Sequence, residues 1–196
     1  MAQTKKEDVR NAILSAGFRL FSEKGYAMTS LLDISREAGI SKANLYVYFS
    51  SKPQILYAIY DPWLRQRIQA LEAQVRKLRS PRRRLLALLS ALWQDIPAEQ
   101  NSFVNNIIQA ASSARSGDEH DATTLQWLES RIEQMLAIAI GPGRYASLRG
   151  ARIAHILIMA LDGFAIHRHL YPERLGIDDA TLLVVAKLLE DGLEDG

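Results

Sequence analysis

Residues 29–52 read TSLLDISREAGISKANLYVYFSSK, and the fold of the chain follows from this stretch. Ser30 offers a side-chain oxygen to cap a helix start, with Asp33 three positions on. Leu31, Leu32, Ile34 and Ala38 then recur at helical spacing and give that helix one apolar side. Gly39 supplies the permissive backbone that a helix end needs, and Ser41 caps a second helix beginning at Lys42. Two short helices about a tight, glycine-containing turn form a helix-turn-helix, whose second helix enters the major groove of DNA. A generic helical hairpin has the same spacing, so spacing alone leaves both readings open.

Upstream, Thr4-Lys5-Lys6-Glu7 has the form of a capping box. Val9, Ile13, Ala16, Leu20 and Phe21 follow at helical spacing, and Gly25 ends a first helix that braces the pair. Downstream, Ser51-Lys52-Pro53-Gln54 opens a fourth helix running to about Arg79, with Pro53 tolerated in its first turn. Pro62 lies inside that helix, removes a backbone donor, and predicts either a kink or a break near Asp61.

A wider set of positions carries a family resemblance: Ile13–Ala16, Phe21, Gly25–Tyr26, Thr29–Ser30, Asp33–Ile34, Ala38–Gly39, Ser41–Lys42, Leu45–Tyr46, Tyr48–Phe49 and Ser51–Lys52. Residues 5–57 resemble the DNA-binding region of the tetracycline-repressor (TetR) family of transcriptional regulators. The resemblance covers the first quarter to third of the chain. It implies a homodimer, an operator of two half-sites, and a helical body holding a small-molecule effector that lowers DNA affinity. Family members often have one continuous helix where Pro62 falls here.

The remainder reads as helices: Arg82–Ile96 stopped before Pro97, Glu99 or Asn101 to Ala114, and Ala122–Ile140 closed by Gly141-Pro142-Gly143. Two apolar helices finish the chain, about Tyr145–Tyr171 and about Asp178–Leu193. The expected fold class is all-α. A three-helix helix-turn-helix domain over 1–51 is joined by a connector helix to a ligand-binding and dimerisation domain over 52–196.

Composition agrees with a folded protein, since 48% of the 196 residues are hydrophobic and 23% charged. No apolar run reaches the roughly 18 residues of a membrane span, and MAQTKKED has no apolar signal core. A cytoplasmic protein without membrane association is expected. With no cysteine, disulfides, thiolate metal sites and cysteine catalysis are excluded. The net charge of +2 conceals a segregation. Residues 1–84 hold 16 Lys/Arg against 7 Asp/Glu, and residues 85–196 hold 8 against 15. A basic first part beside an acidic remainder points one end at a polyanion.

The recognition helix is expected from Lys42 to Phe49, with Leu45 and Phe49 facing the core. Ala43 and Asn44 are the candidates for base readout, because asparagine pairs bidentately with adenine and alanine approaches a thymine methyl. Lys42, Tyr48 and Lys52 suit phosphates, and Thr29 and Ser30 with the amides at their helix start offer a further phosphate cradle. Ser30 and Ser41 are caps first. Tyr46 either packs inside the head or reaches DNA. Lys5, Lys6 and Arg10 either reach a flanking groove or are simply solvated, and Arg82, Arg83 and Arg84 are not assigned to DNA.

In the body, Ile153, Ile156, Leu157, Ala160, Leu161 and Phe164 form one wide apolar face, and Leu182, Leu183, Val185, Ala186 and Leu189 another. These are expected to pair two subunits as a four-helix interface, or else to fill a monomer core. Trp63, Trp93, Phe103, Trp127, Tyr145, Met159 and Phe164, with the polar His155 and Asp162, describe either an effector pocket or an ordinary core. Asp162 needs a partner, either Arg168 or a ligand donor.

An enzyme is not expected. His167 and His169, two apart, diverge on a helix, and no nucleophile elbow or glycine-rich phosphate loop appears. No catalytic residue, metal or cofactor is assigned. The alternative is a helical adaptor that binds protein through its acidic body without sequence-specific DNA binding.

Overall fold

The computed structural model describes residues 2–99, 103–113, 122–148, 152–171 and 177–191, with backbone alone at 2–5, 103, 122 and 148. Every regular element among them is helical, as the all-α expectation required. By internal contacts the chain forms two compact units, Met1–Leu64 with Gln100–Asp121, and Arg65–Glu99 with Ala122–Gly196.

The first unit contains α1 (Ala2–Lys24), α2 (Leu31–Glu37), α3 (Lys42–Tyr48), the opening turns of α4 (Lys52–Lys77) and, from much later in the chain, α7 (Phe103–Ser113). Ile13, Phe21, Ile34, Leu45, Ile55 and Leu56 are fully or almost fully enclosed, and Ala110 and Ile107 of α7 pack on the same cluster. Leu32 is 42% exposed, so α2 buries a narrower stripe than its leucines suggested. Gly39 has φ +67°, a left-handed turn that a side chain strains to adopt, and this turns the chain from α2 into α3. On α1, a Cβ at Gly17 would come within 3.0 Å of Ile55 Cγ2, so glycine lets α1 and α4 approach.

Several boundaries differ from expectation. α1 begins at Ala2, which puts Thr4 inside the helix and not at a cap. α4 runs unbroken through Pro62 to Lys77, so the proline costs one backbone bond without ending the helix.

The second unit assembles α5 (Pro81–Ser90), a π-helical turn (Ala91–Asp95), α6 (Ile96–Ala98), α8 (Ala122–Ile140), α9 (Pro142–Leu148), α10 (Ile153–Leu170) and α11 (Asp179–Asp191) with the rest of α4. Ser80 caps α5, its oxygen accepting from Arg83 N–H, and Pro81 takes the first helical position. The chain does not stop before Pro97. It widens so that Ile96 N–H donates to the Ala91 carbonyl, and the helical backbone continues through Pro97 to Ala98. The single helix expected over 145–171 is two, because Arg152 at φ +51° adopts a left-handed conformation ahead of α10.

Within this unit α5 packs on α8 and α11, and α10 on α8 and the π turn. Polar side chains tie the layers. Arg82 Nε donates to Glu190 at 2.7 Å, while Arg84 donates to the Leu78 and Ile138 carbonyls, each at 2.7 Å. Glu72, buried on α4, accepts from Arg76 at 2.7 Å and also from Arg131 of α8.

Candidate nucleic-acid interface

α2 and α3 are held by their caps. Ser30 Oγ accepts from Asp33 N–H at 3.1 Å, and Ser30 N–H donates to the Asp33 carboxylate at 2.9 Å, a reciprocal capping box. The backbone and hydroxyl of Ser30, with Lys24 at 3.1 Å, hold the Asp33 carboxyl down to about 2. Ser41 Oγ accepts from Asn44 N–H at 3.1 Å and starts α3. Leu45 and Phe49 turn inward, 0% and 3% exposed, and that anchor fixes which residues of α3 face solvent.

Lys42, Ala43, Asn44 and Tyr46 are exposed, and Tyr48 is half-buried against the core. Tyr46 is thereby resolved in favour of the surface, 49% exposed, with the Lys42 ammonium 5.9 Å from its ring centre. Arg10 on α1 is exposed and lies 5.5 Å over the Phe49 ring, whereas the Lys5 side chain falls outside the described residues.

Two expected contacts do not have the required exposure. Thr29 is fully buried, and its hydroxyl donates to the Gly25 carbonyl at 2.8 Å, so it fastens the turn after α1 and is not free for a phosphate. Lys52 reaches back from α4 and donates to the Tyr26 and Thr29 carbonyls, each at 2.8 Å, with Nζ 3.9 Å from the Tyr26 ring centre. Burial pulls its ammonium below the ordinary lysine range. A lysine three residues beyond an aromatic core position resembles a surface charge in sequence; only the returning loop shows what it holds.

Sequence reasoning also passed over Val47, 68% exposed on α3. Helical geometry alone was enough to find it, since two residues past the buried Leu45 lies on the opposite side.

The body residues are distributed unevenly. Trp93 is buried, donates from Nε1 to the Leu157 carbonyl at 3.1 Å, and lies 5.4 Å from the ring of the half-buried Phe164, so Trp93 is core. The Arg65 guanidinium sits 4.5 Å over the half-buried Trp127. His155 Nδ1 is 3.7 Å from Glu129. Met159 is 44% exposed. Asp162 is half-buried, and burial raises its carboxyl above the ordinary range. Trp63 is half-buried and belongs to the first unit, and the Phe103 side chain lies outside the described residues.

An open groove of about 580 Å³ occurs in the second unit, lined by Ala160, Gly163, Phe164, His167, Ile177, Asp178 and Thr181. Among the effector candidates with described side chains, Phe164 lines it, and Trp63, Trp93, Trp127, Tyr145, His155, Met159 and Asp162 do not.

The predicted pairing residues fall into three groups. Leu157, Leu161, Leu182 and Ala186 are buried within the subunit and cannot meet a partner. Ile153, Ala160, Phe164, Val185 and Leu189 are partly covered, while Ile156 and Leu183 remain open. Both helices are apolar on more than one side, so composition could not tell the inward stripe from the outward one.

Residues 13–59 match the model of the bacterial regulatory proteins of the tetR family. The matched segment contains α2 and α3. The HTH-type transcriptional regulator HbdR of Aromatoleum sp. (strain CIB) is 35% identical over 98 residues, covering 50% of this chain and 43% of HbdR. Over HbdR and several other curated regulators, the aligned part of the chain spans about a third to a half of their length. Among solved structures, the TetR-family regulator PfmR from Thermus thermophilus has a TM-score of 0.61 at 25% identity, covering 93% of this chain and 98% of PfmR. The fatty acid degradation regulator FadR from Bacillus halodurans shares the fold, with a TM-score of 0.64 at 16% identity over 94% of this chain and 96% of that one. The TetR-type fold thus extends beyond the DNA-binding head.

Proposed function

We propose that this chain is a TetR-type transcriptional regulator, a repressor that binds an inverted-repeat operator as a homodimer and leaves it when a small-molecule effector enters the body. The observation that carries the DNA-binding part is α3, which a buried Leu45 and a Ser41 cap hold with Lys42, Ala43, Asn44 and Tyr46 all open to solvent. The functional division is 1–51 for the head and 52–196 for the body. No described helix is long and apolar enough to cross a membrane, and operator binding would take place in the cytoplasm.

One head reads only a few base pairs, so two are needed on half-sites about 34–36 Å apart. The pairing surface we assign is the outward stripe that remains open in one subunit. Ile156, Met159, Ile166 and Leu170 supply it on α10, with 53%, 44%, 44% and 61% exposure, and Val184 and Leu188 on α11, with 59% and 64%. Such a run of large apolar side chains in a single subunit favours a covered face over a solvated one.

Effector release requires only that the ligand prefer a body conformation whose head spacing no longer spans both half-sites.

The test is binding to duplexes recovered from random DNA, titrated with salt. A regulator gives a steep salt slope and an inverted-repeat preference. Binding without either property would leave the adaptor reading in its place.

A further inference from the structure

On a helix advancing about 100° per residue, Ala43 and Val47 lie roughly 160° and 200° around from Leu45. Because Leu45 is wholly buried, these two residues stand at the pole of the exposed side, with Asn44 and Tyr46 about 100° to either flank. The part of α3 that points most directly away from the head is therefore apolar. Lys42 and Tyr46, engaged with each other, belong to the flank.

An apolar pole is an unusual choice for a surface meant to meet base edges. The major groove presents hydrogen-bonding groups at every base pair, and its one apolar feature is the thymine C5-methyl. A valine pressed on a guanine O6 or a cytosine amino group desolvates it with nothing in return. Against a methyl group the same side chain gains contact and removes apolar surface from water. Val47 contributes little to the head itself, being 68% exposed and β-branched in a seven-residue helix.

We propose that Val47 is a specificity-determining residue that reads a thymine methyl in each operator half-site, with the small Ala43 beside it allowing the helix to come close. This rests on the DNA-binding reading above and adds the chemistry of one base position to it.

Deoxyuridine pairs as thymine does and lacks only the methyl, so it isolates the contact. The full chain is bound to a duplex selected from random DNA, and each thymine is replaced by deoxyuridine in turn. At one position per half-site, affinity of the unmodified chain should fall roughly three- to fivefold, the worth of one buried methyl. Val47→Ala should bind the thymine duplex more weakly and lose its sensitivity to deoxyuridine at that position alone. An unchanged melting temperature for Val47→Ala, expected at so exposed a site, keeps folding out of the comparison. If Val47→Ala retains the full deoxyuridine effect, or if no thymine methyl matters to the unmodified chain, the inference is overturned. If selection recovers no preferred duplex, the regulator reading fails and takes this one with it.

Discussion

Asn106 of α7 accepts the backbone N–H of Tyr26 at 2.8 Å, joining residues eighty positions apart in sequence. Its Nδ2 donates to the Phe21 carbonyl at 3.1 Å and to the Tyr60 hydroxyl at 2.9 Å. One turn on, Gln109 Oε1 accepts from Ala27 N–H at 2.8 Å. Two side-chain amides of α7 thus close the turn that leads from α1 to α2, inside the unit that contains the recognition helix.

Removing the Asn106 amide should be costly, because it takes away the acceptor of the buried Tyr26 N–H and one of the two donors to the Phe21 carbonyl, the other being Gly25 N–H. Asn106→Ala is expected to lower unfolding stability by about 1–3 kcal/mol, and Tyr60→Phe by about 1 kcal/mol. Urea titration of each variant checks this, and an unchanged midpoint for Asn106→Ala would dismiss the clamp.

Lys42 and Lys52 should part company in a salt titration. Lys42 is exposed on α3, so Lys42→Ala should weaken binding to all sequences alike and reduce the log–log salt slope by about 1. Lys52 is occupied by two carbonyls, so Lys52→Met should lower stability and leave the slope unchanged. A slope reduced equally by both substitutions would restore Lys52 to the phosphate.

Asn44→Ala should relax preference at one base position while leaving the salt slope alone, at about 1–3 kcal/mol of discrimination. Binding-site selection with the variant reads this directly. Uniform weakening on every sequence would assign Asn44 to the backbone instead.

The pairing stripe and the buried stripe of α10 should fail differently. Ile156→Arg is expected to yield a folded monomer by sedimentation, with operator affinity reduced at least roughly a hundredfold through loss of the linked half-site. Leu157→Ala, at a site 3% exposed, should cost about 2–5 kcal/mol of stability without selectively dissociating the dimer.

Acid should release Glu72. The hydrogen bond from Arg76 and the charge and hydrogen bond of Arg131 hold its carboxyl below the ordinary 4.5, against the opposing effect of burial. The folded protein therefore binds this proton less readily than the unfolded chain. The contribution is full above about pH 4.5 and is lost as pH falls through the depressed value. Glu72→Gln should flatten that part of the stability–pH curve, as urea midpoints between about pH 3 and 6 would record.

The sequence alone carried the head, because its determinants are local. A cap at Ser30 or Ser41, a left-handed glycine at 39 and the apolar spacing through Leu45 and Phe49 each act within one or two helical turns. The side of α3 that faces outward is equally local, and Val47 was there to be read. What only tertiary structure decided involves partners distant along the chain. Lys52 reads as a surface charge until the Tyr26–Thr29 turn comes back to meet it. Nothing near Asn106 in sequence assigns α7 to the compact unit that contains the recognition helix. Likewise, α10 and α11 are apolar on several faces, so neighbours chosen by the fold determined that Leu157 is inside and Ile156 outside. Helix formation depends on residues a few positions apart, whereas burial depends on which surfaces meet.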